Sequence, residues 1–532
     1  MILILYIAVA VLAFANFCTE LRRDLMMLQQ NSYRRDRYMR WLSQSGDTTS
    51  GWRLAGIIVT GICLTPFCPP TPGIVLLGIF AVLSMVSLMR RRYKKPLVMT
   101  PRALRIYITA IVLGALAAGG AMLIWSAPWT TSIRAAALTF GAAYCLSHVF
   151  IVLSNMILHP VEQSINRRYI REAKDMLAQM KDLRIIGITG SYGKTTTKHY
   201  LYRILSEQYE TLMTPGSYNT PLGVVRTVRE MLKPYHEVFI VEMGAKARGD
   251  IAEICDIVHP SRGIITAVGP QHLESFKSIA NVQATKFELA DALPADGLIV
   301  VNDDFPRIAD RPVDNTRCLR YAVNNVTDST DYTAENIDYS PSGTSFTVRC
   351  LRDGWMVNLH TPLVGECNIS NVMAAVVMAR DMGVDDKHIA YAVERLEQVE
   401  HRLSIKRVPG GLTIIDDAFN SNPVGSAMAL DVLAAMKTGK RILVTPGMIE
   451  LGDEQEHLNA EFGRKAASCA DLVIVVGEYN REAIVSGLEE GGMPAEAIRK
   501  ADSFAHAQQI LTSLSAPGDI VLYENDLPDT FK

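Results

Sequence analysis

Five apolar runs occupy much of the first 158 residues, and they constrain the fold more than any other feature of the sequence. They lie at 1–17, 54–68, 74–89, 106–125 and 133–158. A helix that crosses about 30 Å of hydrocarbon needs about 20 residues, so the second and third runs are short. Residues 1–158 are therefore predicted to form an all-α transmembrane bundle of about five helices, in which the two short runs make a spanning or re-entrant hairpin.

Basic residues between the runs predict the orientation of this region. The segments 21–40 and 90–105 are rich in arginine and lysine, whereas those around 69–73 and 126–132 carry no basic residue. The positive-inside rule then places the amino terminus outside and everything after residue 158 in the cytoplasm. The first run lacks a basic stretch before it and a cleavage site after it, so we expect a retained anchor. The chain is thus predicted to be a multi-pass protein of the cell inner membrane with cytoplasmic catalytic domains.

Composition argues against several other classes of protein. The net charge of -2 gives no bulk attraction to nucleic acid, so no nucleic-acid partner is expected. The nine cysteines are scattered and form no C-x-x-C pair, which argues against a zinc ribbon, an iron–sulfur centre or a disulfide framework. They are expected to be buried thiols in a reducing compartment.

Two further features belong to the membrane-proximal sequence. Residues 159–182 are predicted to form a juxtamembrane amphipathic helix packed on the soluble body, because apolar side chains recur there at helical spacing. His148 and Asn155 lie within the fifth run, where polar groups are costly unless they face a partner or water. Two alternatives stay open for them: a route for a lipid headgroup or substrate, or packing inside the bundle.

The stretch TGSYGKTTTKHYL, residues 189–201, indicates a nucleotide site. Residues 183–189 are predicted to form a buried strand, and the helix KTTTKHYLYRIL follows the glycine-rich turn. Lys194 would reach the β- and γ-phosphates of ATP, and the Thr195 hydroxyl would hold magnesium. The strict phosphate-loop pattern requires glycine where Ile188 stands, so an ordinary glycine-rich turn is the alternative. The residues predicted to bind the nucleotide here are Gly190, Ser191, Gly193, Lys194, Thr195 and Thr196.

The pattern T-G-x-x-G-K-T-T resembles the phosphate loop of the Mur ligases, the ATP-dependent enzymes that build the peptide stem of the bacterial cell wall. Further motifs of that family are matched in the same order over about residues 181–532: YNTPLGV, VFIVEMGAKARGDI, AVGPQHLESF, ATKFELAD, GECNISNVMAA, EHRLSI and IIDDAFNSNP. Within the family, HLESF, DDAFNSNP and GMIELGDEQEHLNAEFG resemble the MurF branch, which adds D-alanyl-D-alanine.

The resemblance implies two magnesium ions and a lysine that this family carbamylates. The first ion would be held at Thr195. The second would lie between phosphate and the acceptor carboxylate, held by Glu242 and His272, and by Lys286 if its amine becomes a carbamate. From the residues alone, Glu242 could instead cap a neighbouring element, His272 could be an ordinary loop histidine, and Lys286 could be a solvated lysine.

The later motifs imply further nucleotide contacts. Asn371 would contact adenine, Asp417 the ribose or a phosphate, and Arg402 would lie near the γ-phosphate. Asn368 and Asn371 could instead be helix caps. The catalytic side chains that the resemblance implies are Lys194, Glu242, His272, Lys286 and Arg402.

Alternating strand-like and helical segments predict two α/β domains after the membrane region. Residues 183–400 are predicted to form the central P-loop ATPase domain, with a largely parallel sheet over 183–292 and a strand-rich segment over 296–363. Residues 401–532 are predicted to form a C-terminal Rossmann-like domain. The predicted fold class is therefore multi-domain, an all-α transmembrane bundle followed by two α/β domains.

Departures from the family pattern leave the acceptor open. The usual amino-terminal domain that grips the UDP-sugar precursor is expected to be missing, with the membrane region in its place. The late Lys-Gly-Ser motif is absent and YENDLPDTF stands there instead. Gly447 replaces an aspartate of typical members, and Cys367 replaces a frequent histidine.

Three functions fit these observations. The first is a membrane-anchored, MurF-like ATP-dependent ligase of peptidoglycan precursor synthesis, which activates a carboxylate as an acyl phosphate and joins it to D-alanyl-D-alanine or an amino acid. Its acceptor would be a nucleotide-linked or lipid-linked cell-wall precursor, with membrane lipid as a further partner. The second is a Mur-like ligase for another polymer, such as poly-γ-glutamate. The third is a P-loop transporter or regulatory ATPase, for which no switch or signature motif is found.

Overall fold

The computed structural model describes residues 2–91, 93, 95–125, 128–340, 343–400, 402–408, 411–418, 421–436 and 438–527. These residues form two compact units, of which the first ends at Arg167 and the second runs from Arg168 to Asp526. The nine cysteines all lie among the described residues and are free thiols; five are buried as predicted, whereas Cys18, Cys68, Cys318 and Cys367 are only partly buried. Residues 1, 92, 94, 126, 127, 341, 342, 401, 419, 420 and 528–531 of the quoted segments and motifs lie outside the described ranges.

The described part of the first unit is helical. Its helices are α1 Ile2–Gln30, α2 Arg35–Gln44, α3 Gly51–Leu64, α4 Pro70–Met89, α5 Pro101–Ile124, α6 Trp129–Cys145 and the first part of α7, Ser147–Ala178. Among the described residues, α1, α4 and α5 are long and apolar enough to cross a membrane, and α6 with α7 adds a fourth if the pair is one span. The predicted five crossings are thus not matched. The second run forms a helix of only 14 residues, whereas the third, predicted to be short, forms one of 20 residues.

The start of α5 shows how local sequence sets these helices. The Thr100 hydroxyl accepts a hydrogen bond from the backbone N–H of Ala103 at 3.2 Å, which satisfies one of the free donors of the first turn. Pro101 occupies the first helical position, where a missing N–H costs nothing. The helix therefore begins within the basic segment 90–105, and Arg102 and Arg105 lie in its first turns.

The fifth apolar run does not form a single helix. α6 ends at Cys145, α7 begins at Ser147, and the two helices are bent by 81°. α7 then continues through Pro160 to Ala178, so the predicted separate helix over 159–182 is the second half of α7. Its last turns belong to the second unit, where Ala173 is fully buried and the ammonium of Lys174 lies 2.7 Å from the carboxylate of Asp256. The part of this segment that follows Arg167 packs on the α/β body.

A cluster of buried charges lies within the first unit. Arg53 is only 1% exposed, and its guanidinium donates to both carboxylate oxygens of Asp24 at 2.8 and 3.0 Å. The same guanidinium lies 3.2 Å from Glu20 and 3.3 Å from Asp47. Arg23 also donates to Glu20 at 2.9 Å and to Asp47 at 3.0 Å. Arg23 is thus an internal partner on α1, although it belongs to the basic segment 21–40 that predicts the orientation.

The two polar residues of the fifth run have partners inside this unit. Nδ1 of His148 lies 3.0 Å from Nη1 of Arg53, beside the bend between α6 and α7. The side-chain amide of Asn155 donates to the backbone carbonyl of Tyr33 at 3.2 Å. Of the two alternatives left open by the sequence, these contacts favour packing inside the bundle.

The second unit begins with a mixed sheet. Its described strands are β1 Arg184–Thr189, β2 Thr211–Met213, β3 Val238–Glu242, β4 Arg262–Ile265, β5 Leu298–Asn302, β6 Arg317–Ala322, β7 Tyr332–Ser340, β8 Gly343–Cys350 and β9 Met356–Thr361. They lie in the order β2-β3-β1-β4-β5-β6-β7-β8-β9. Pairing is parallel from β2 to β7 and antiparallel from β7 to β9. The predicted parallel sheet and the predicted strand-rich segment are both present, and they join into one sheet.

Helices cover both faces of this sheet, which explains why its central strands read as continuous apolar runs. They are α8 Lys194–Leu205, α9 Pro221–Met231, α10 Asp250–Val258, α11 Leu273–Phe276, α12 Ile279–Asp291, α13 Pro306–Ala309, α14 Glu366–Asp381 and α15 Asp386–Glu394. Ile186 and Ile188 of β1 are fully buried in the core that includes α8 and α14, and Ile185 lies in the core that includes α10 and α12. The carboxyl end of β1, between β3 and β4, leads into the predicted phosphate loop.

A second mixed sheet follows. Its described strands are β10 Ser404–Arg407, β11 Thr413–Asp417, β12 Arg441–Thr445, β13 Leu472–Val476, β14 Ile498–Ala501 and β15 Ile520–Glu524, and its helices are α16 Pro423–Ala435, α17 Gln455–Cys469, α18 Arg481–Glu490 and α19 Phe504–Leu514. The strand order is β10-β11-β15-β12-β13-β14, and only the β10–β11 pair among these is antiparallel. This order places Asp417 and Glu524 side by side at the ends of neighbouring parallel strands.

Candidate active site

The predicted phosphate loop is a tight turn between β1 and α8. Gly190 and Gly193 have φ angles of +151° and +75°, and Gly193 stands directly before the first residue of α8. A Cβ on Gly190 would lie 2.1 Å from Oγ1 of Thr266, and one on Gly193 would lie 2.3 Å from Oδ1 of Asn371. Only glycine fits at these two positions, and the first N–H groups of α8 have no partner within the helix. The turn therefore has the geometry of an anion cradle.

Lys194 is folded back over this cradle. Its ammonium donates to the carbonyls of Gly190 at 2.6 Å and Ser191 at 3.2 Å. Burial lowers the pKa of Lys194 to about 8, although the carboxylate of Glu242 raises it. The negative charge of a bound phosphate would stabilise the protonated ammonium of Lys194. Lys194 is therefore well placed to bind phosphate.

Glu242, at the end of β3, forms the acidic centre of the site. Its Oε1 accepts from the Thr195 hydroxyl at 3.1 Å and from the side-chain amide of Asn219 at 3.0 Å. Its Oε2 lies 3.1 Å from the ammonium of Lys198, and both of these side chains are at most 1% exposed. Burial raises the pKa of Glu242, but the ammonium groups of Lys198 and Lys194 outweigh it and hold the pKa below its ordinary value. Glu242 is thus an anion paired within the site, and the alternative of a capping residue is wrong.

Sequence reasoning missed Lys198. In the sequence it is one lysine of a helix, four residues after Lys194 and hence on the same face of α8. Its ammonium also donates to the carbonyl of Gly216 at 2.7 Å. Only the pairing of β1 with β3 brings Glu242 beside this face, so i,i+4 spacing from the phosphate-loop lysine was the one available signal.

His272 lies at the start of α11 and contacts a residue of the second sheet region. Its Nδ1 is hydrogen bonded to the carboxylate of Glu450, which also accepts from the Lys246 ammonium at 2.7 and 3.0 Å. Burial lowers the pKa of His272 below its ordinary value, while Glu450 acts in the opposite direction. His272 therefore has a specific charged partner, unlike the ordinary loop histidine of the alternative.

The burial of Lys286 is where the structure differs most clearly from what the residue pattern alone suggests. It lies on α12 and is 1% exposed, so the alternative of a solvated lysine is wrong. Burial lowers its pKa well below the ordinary value, and the nearby Lys194 ammonium lowers it further. Its Nζ lies 5.9 Å from the centre of the Phe276 ring. Burial and the Lys194 ammonium thus both favour the uncharged form of the Lys286 amine.

The remaining predicted residues line a cleft beside the phosphate loop. The predicted residues that line it are Ser191, Gly193, Lys194, Thr195, Thr196, Asn371, Arg402 and Asp417. Asn371 lies inside α14 and accepts from the Thr197 hydroxyl at 3.1 Å, and Asn368 accepts from the Tyr200 hydroxyl at 2.9 Å. α14 begins at Glu366, so neither asparagine is a helix cap. Gly190, Glu242, His272 and Lys286 do not line the cleft, although Glu242 is joined to it through Thr195.

Sequence reasoning also missed several cleft residues. Tyr192 and Phe305 bring two aromatic rings to its wall, with centroids 6.3 Å apart. Asn422, Val424 and Met428 line it from the start of α16. Tyr192 and Asn422 lie within quoted motifs, whereas Phe305, Val424 and Met428 belong to none, so only the fold could reveal these three.

Asp417 lies beside a buried carboxyl group that the sequence did not single out. Glu524, in the segment that replaces the Lys-Gly-Ser motif, is 1% exposed and hydrogen bonded to the Ser421 hydroxyl. Burial raises the pKa of Asp417 to about 6, against the effect of Arg402. Burial, together with the charge of Asp417, raises the pKa of Glu524 well above its ordinary value. Of the replacement segment, residues 528–531 lie outside the described part of the chain.

We expect Glu524→Gln to stabilise the protein at pH 8 but not at pH 4. Both carboxyl groups have raised pKa values in the folded state, so the folded protein binds more protons than the unfolded chain, whose values lie near 4. The free energy of unfolding of the wild type therefore falls as the pH rises from about 4 through 6. That of the variant falls less over the same range. The expected gain in unfolding free energy at pH 8 is about 1 to 3 kcal/mol, given about 1.4 kcal/mol per pKa unit.

Thermal unfolding of wild type and variant at the two pH values measures this difference. The exposed Glu489→Gln on α18 is the matched control and should show no pH-dependent gain. A gain of the same size at pH 4 and pH 8 would contradict the charge argument.

The residues present fit a magnesium nucleotide. Mg²⁺ usually keeps several waters and takes one or two carboxylates together with substrate phosphates. A hydroxyl and a carboxylate in contact, Thr195 and Glu242, stand at the end of the anion cradle. Across the described ranges no group of three or more His, Cys, Asp or Glu side chains could hold a metal alone. The donor set thus suits an ion that is shared with phosphate oxygens.

Two family models match the second unit. The Mur ligase middle domain matches residues 188–379, and the Mur ligase glutamate ligase domain matches residues 401–523. The UDP-N-acetylmuramoyl-tripeptide–D-alanyl-D-alanine ligase of Escherichia coli (strain K12) is 30% identical over 341 residues, which are 63% of this chain and 74% of that relative. The enzyme of the same name from Bacillus subtilis (strain 168) is 27% identical over 345 residues, covering 64% of this chain and 72% of the relative.

Solved structures give the same result. MurF from Acinetobacter baumannii has a TM-score of 0.60 at 26% identity and covers 68% of this chain and 77% of its own. The MurF ligase from Thermotoga maritima, solved in complex with ADP, has a TM-score of 0.59 at 24% identity, with 68% and 80% covered, and is similar in fold.

Proposed function

This chain belongs to the Mur ligase family, and we propose that it is a membrane-anchored ligase that joins D-alanyl-D-alanine to the peptide of a cell-wall precursor. Members of the family are ATP-dependent, ADP-forming ligases, so the alternative of a P-loop transporter is wrong. A ligase for another polymer such as poly-γ-glutamate is less well supported, because the relatives reported above are all D-alanyl-D-alanine ligases or MurF proteins. The single structural observation that carries the proposal is the buried Lys286 amine beside Lys194.

The reaction needs cationic groups where two anions meet. The acceptor carboxylate attacks the γ-phosphorus of ATP, the bond from that phosphorus to the β-bridging oxygen breaks, and ADP leaves. The amine then attacks the acyl carbon, its nitrogen loses a proton, and the carbon–oxygen bond to phosphate breaks. Lys194 and the N–H groups of α8 would bind the nucleotide phosphates, and Arg402 lines the same cleft. These groups offset the repulsion between carboxylate and phosphate.

Thr195 would hold a first magnesium ion, and Glu242 and His272 would hold a second, with Lys286 as its third ligand once carbamylated. Bound magnesium supplies charge neutralisation at the transferring phosphoryl group. A neutral amine can attack carbon dioxide, so that a nitrogen–carbon bond forms and the nitrogen loses a proton to give a carbamate anion. The burial of Lys286 and the lowering of its pKa favour the uncharged amine that this modification needs, whereas a solvated lysine would be protonated.

We expect Gly193→Ala to weaken ATP binding by at least tenfold. The added Cβ would lie 2.3 Å from Oδ1 of Asn371, at a φ of +75° that disfavours alanine. Either the loop or Asn371 must then move, and a non-glycine residue in this region costs about 1 to 3 kcal/mol. Isothermal titration with ATP measures the effect. Gly354→Ala, at φ +72° with nothing within 4 Å of the new Cβ, is the control and should leave ATP affinity unchanged.

Membrane anchoring is the part of the proposal that rests on the first unit. It is supported by the length and composition of α1, α4 and α5, and by the exposed apolar side chains along them. The arginine-rich segments favour a cytoplasmic active site. Cys68 is half-buried in the turn between α3 and α4, whereas Cys63 and Cys145 are buried.

We expect a membrane-impermeant maleimide to label Cys68 in intact cells, because an α3–α4 hairpin that crosses the membrane, as the sequence predicts, would have its turn outside. Mass spectrometry of the isolated protein locates the label. Cys68→Ser should abolish it, and labelling of Cys68 only after the cells are opened would contradict the orientation.

Phosphate release from ATP by the detergent-purified chain tests the proposed function. The assay uses UDP-N-acetylmuramoyl-tripeptide or its lipid-linked counterpart, each with and without D-alanyl-D-alanine. Release that depends on the dipeptide and yields the pentapeptide product would support the proposal and identify the acceptor carrier. Absence of turnover with both acceptors, in protein that still binds ATP, would overturn the substrate assignment.

A further inference from the structure

Glu450 belongs to the second sheet region, yet its contacts lie on the first. It stands in the loop between β12 and α17. Its carboxylate accepts from the Lys246 ammonium at 2.7 and 3.0 Å and is hydrogen bonded to Nδ1 of His272. Its backbone carbonyl accepts from the N–H of Glu274 at 3.1 Å. Both the side chain and the backbone of Glu450 therefore contact the turn that carries His272.

The loop is shaped for this approach. Glu450 has φ +63°, a left-handed conformation that costs a non-glycine residue about 1 to 3 kcal/mol and persists where the surroundings enforce it. Gly447 and Gly452 flank it with φ +77° and +64°. A Cβ on Gly452 would lie 3.3 Å from the backbone N and Cα of Glu274, so the two backbones are nearly in contact. Strain concentrated at one acidic residue in an inter-sheet contact points to a functional constraint.

The contact also specifies which nitrogen of His272 carries a proton. A carboxylate that pairs with an ammonium at 2.7 Å is ionised and can only accept hydrogen bonds. Nδ1 of His272 must therefore donate to Glu450, which leaves the other ring nitrogen with its lone pair in the neutral imidazole. A carboxylate behind a histidine in this way fixes the tautomer and the ring orientation of a metal ligand.

We propose that Glu450 is a positioning residue for the divalent cation, holding His272 as the Nδ1–H tautomer so that its second nitrogen can bind the ion. The proposal rests on the proposed function in so far as His272 serves as a ligand there. The proposal also predicts an order of events. The second sheet region must contact the first before His272 is oriented to bind the cation. Cation binding and docking are thereby coupled through one carboxylate.

Mn²⁺ in place of magnesium tests this in the detergent-purified full chain with a non-hydrolysable ATP analogue. Pulsed electron paramagnetic resonance detects a histidine nitrogen bound to Mn²⁺, and titration of the same samples gives the affinity. Wild type is expected to show a coordinated nitrogen that His272→Ala lacks. Glu450→Gln keeps an acceptor oxygen but loses the charge, and it should weaken or remove the nitrogen signal and lower Mn²⁺ affinity about 10- to 100-fold.

Matched measurements separate positioning from general damage. Affinity for the nucleotide analogue without metal should be unchanged in Glu450→Gln. Glu454→Gln, an exposed acid four residues along, should behave as wild type in every measurement. The proposal is overturned if wild type shows no histidine nitrogen, if Glu450→Gln keeps the wild-type signal and affinity, or if it loses metal-free nucleotide binding to the same extent. None of these measurements needs the acceptor or the amine, so a wrong substrate assignment would leave them intact.

Discussion

Replacing Lys286 by alanine is expected to lower the rate of ligation by about 10²- to 10³-fold, the range seen when one electrostatic group is removed from an active site. Lys286 is 1% exposed, and burial and Lys194 lower its pKa, which favours the uncharged amine that carbamylation requires. Loss of the carbamate would remove an anion from the cation site. Acetate or propionate should restore part of the rate, because a small carboxylate can occupy the space and supply the missing charge.

The rate of phosphate release, with and without the carboxylic acids, measures this prediction. Lys387→Ala, at an exposed position of α15, is the matched control and should be neither slowed nor stimulated. A Lys286→Ala variant that is folded and as fast as wild type would contradict a catalytic role. A slow variant that no carboxylate stimulates would show that the lysine acts through packing and not as a carbamate.

The ATP-binding part of this site could be predicted because its signals are local. The turn, Lys194 and Thr195 follow one another in the sequence, and the helix start places their backbone donors at the phosphate site. The strand pattern was equally informative, since β1, β3 and β4 are buried on both faces and read as continuous apolar runs. Local patterning and global fold agree here, as expected for a well-specified sequence.

The rest of the site depends on pairs that are distant in the sequence. Lys198 meets Glu242 through the β1–β3 pairing, and Glu524 meets Asp417 only because β15 lies beside β11. The burial of Lys286 likewise could not be predicted, because its neighbours on α12 read as an ordinary amphipathic helix. Charge that is buried by tertiary packing leaves no periodic signal in the sequence.

In the first unit, too, the sequence pattern predicts local structure but not how the chain is arranged. Hydropathy predicted helical segments there, but it reports composition and length and not the direction of the chain. The bend of 81° between α6 and α7 and the continuation of α7 through Pro160 were therefore missed. Both ends of that bend lie beside Arg53, whose guanidinium donates to the Cys145 carbonyl and the Ser147 hydroxyl at 3.1 Å. The buried guanidinium of Arg53 thus contacts both sides of the α6–α7 bend, which hydropathy could not reveal.

Replacing Arg53 by methionine is accordingly expected to destabilise the first unit by about 3 to 5 kcal/mol, the usual cost of removing one partner from a buried ion pair. Methionine fills much of the space, but Asp24 loses two hydrogen bonds at 2.8 and 3.0 Å and stays buried with a charge. Unfolding of the detergent-solubilised protein by heat or by sodium dodecyl sulfate measures the loss. Arg34→Met removes an arginine whose side chain is 53% exposed and should change stability little.

A second substitution tests the cause. If the cost comes from an uncompensated carboxylate, then Asp24→Asn in the Arg53→Met background should recover part of the stability, although Asp24→Asn alone should destabilise the wild type. Glu20 and Asp47 would remain paired with Arg23, so recovery is expected to be incomplete. Additive losses in the double variant would show instead that the cluster acts through packing alone. Nucleotide binding should survive in Arg53→Met, because the phosphate loop lies in the other unit.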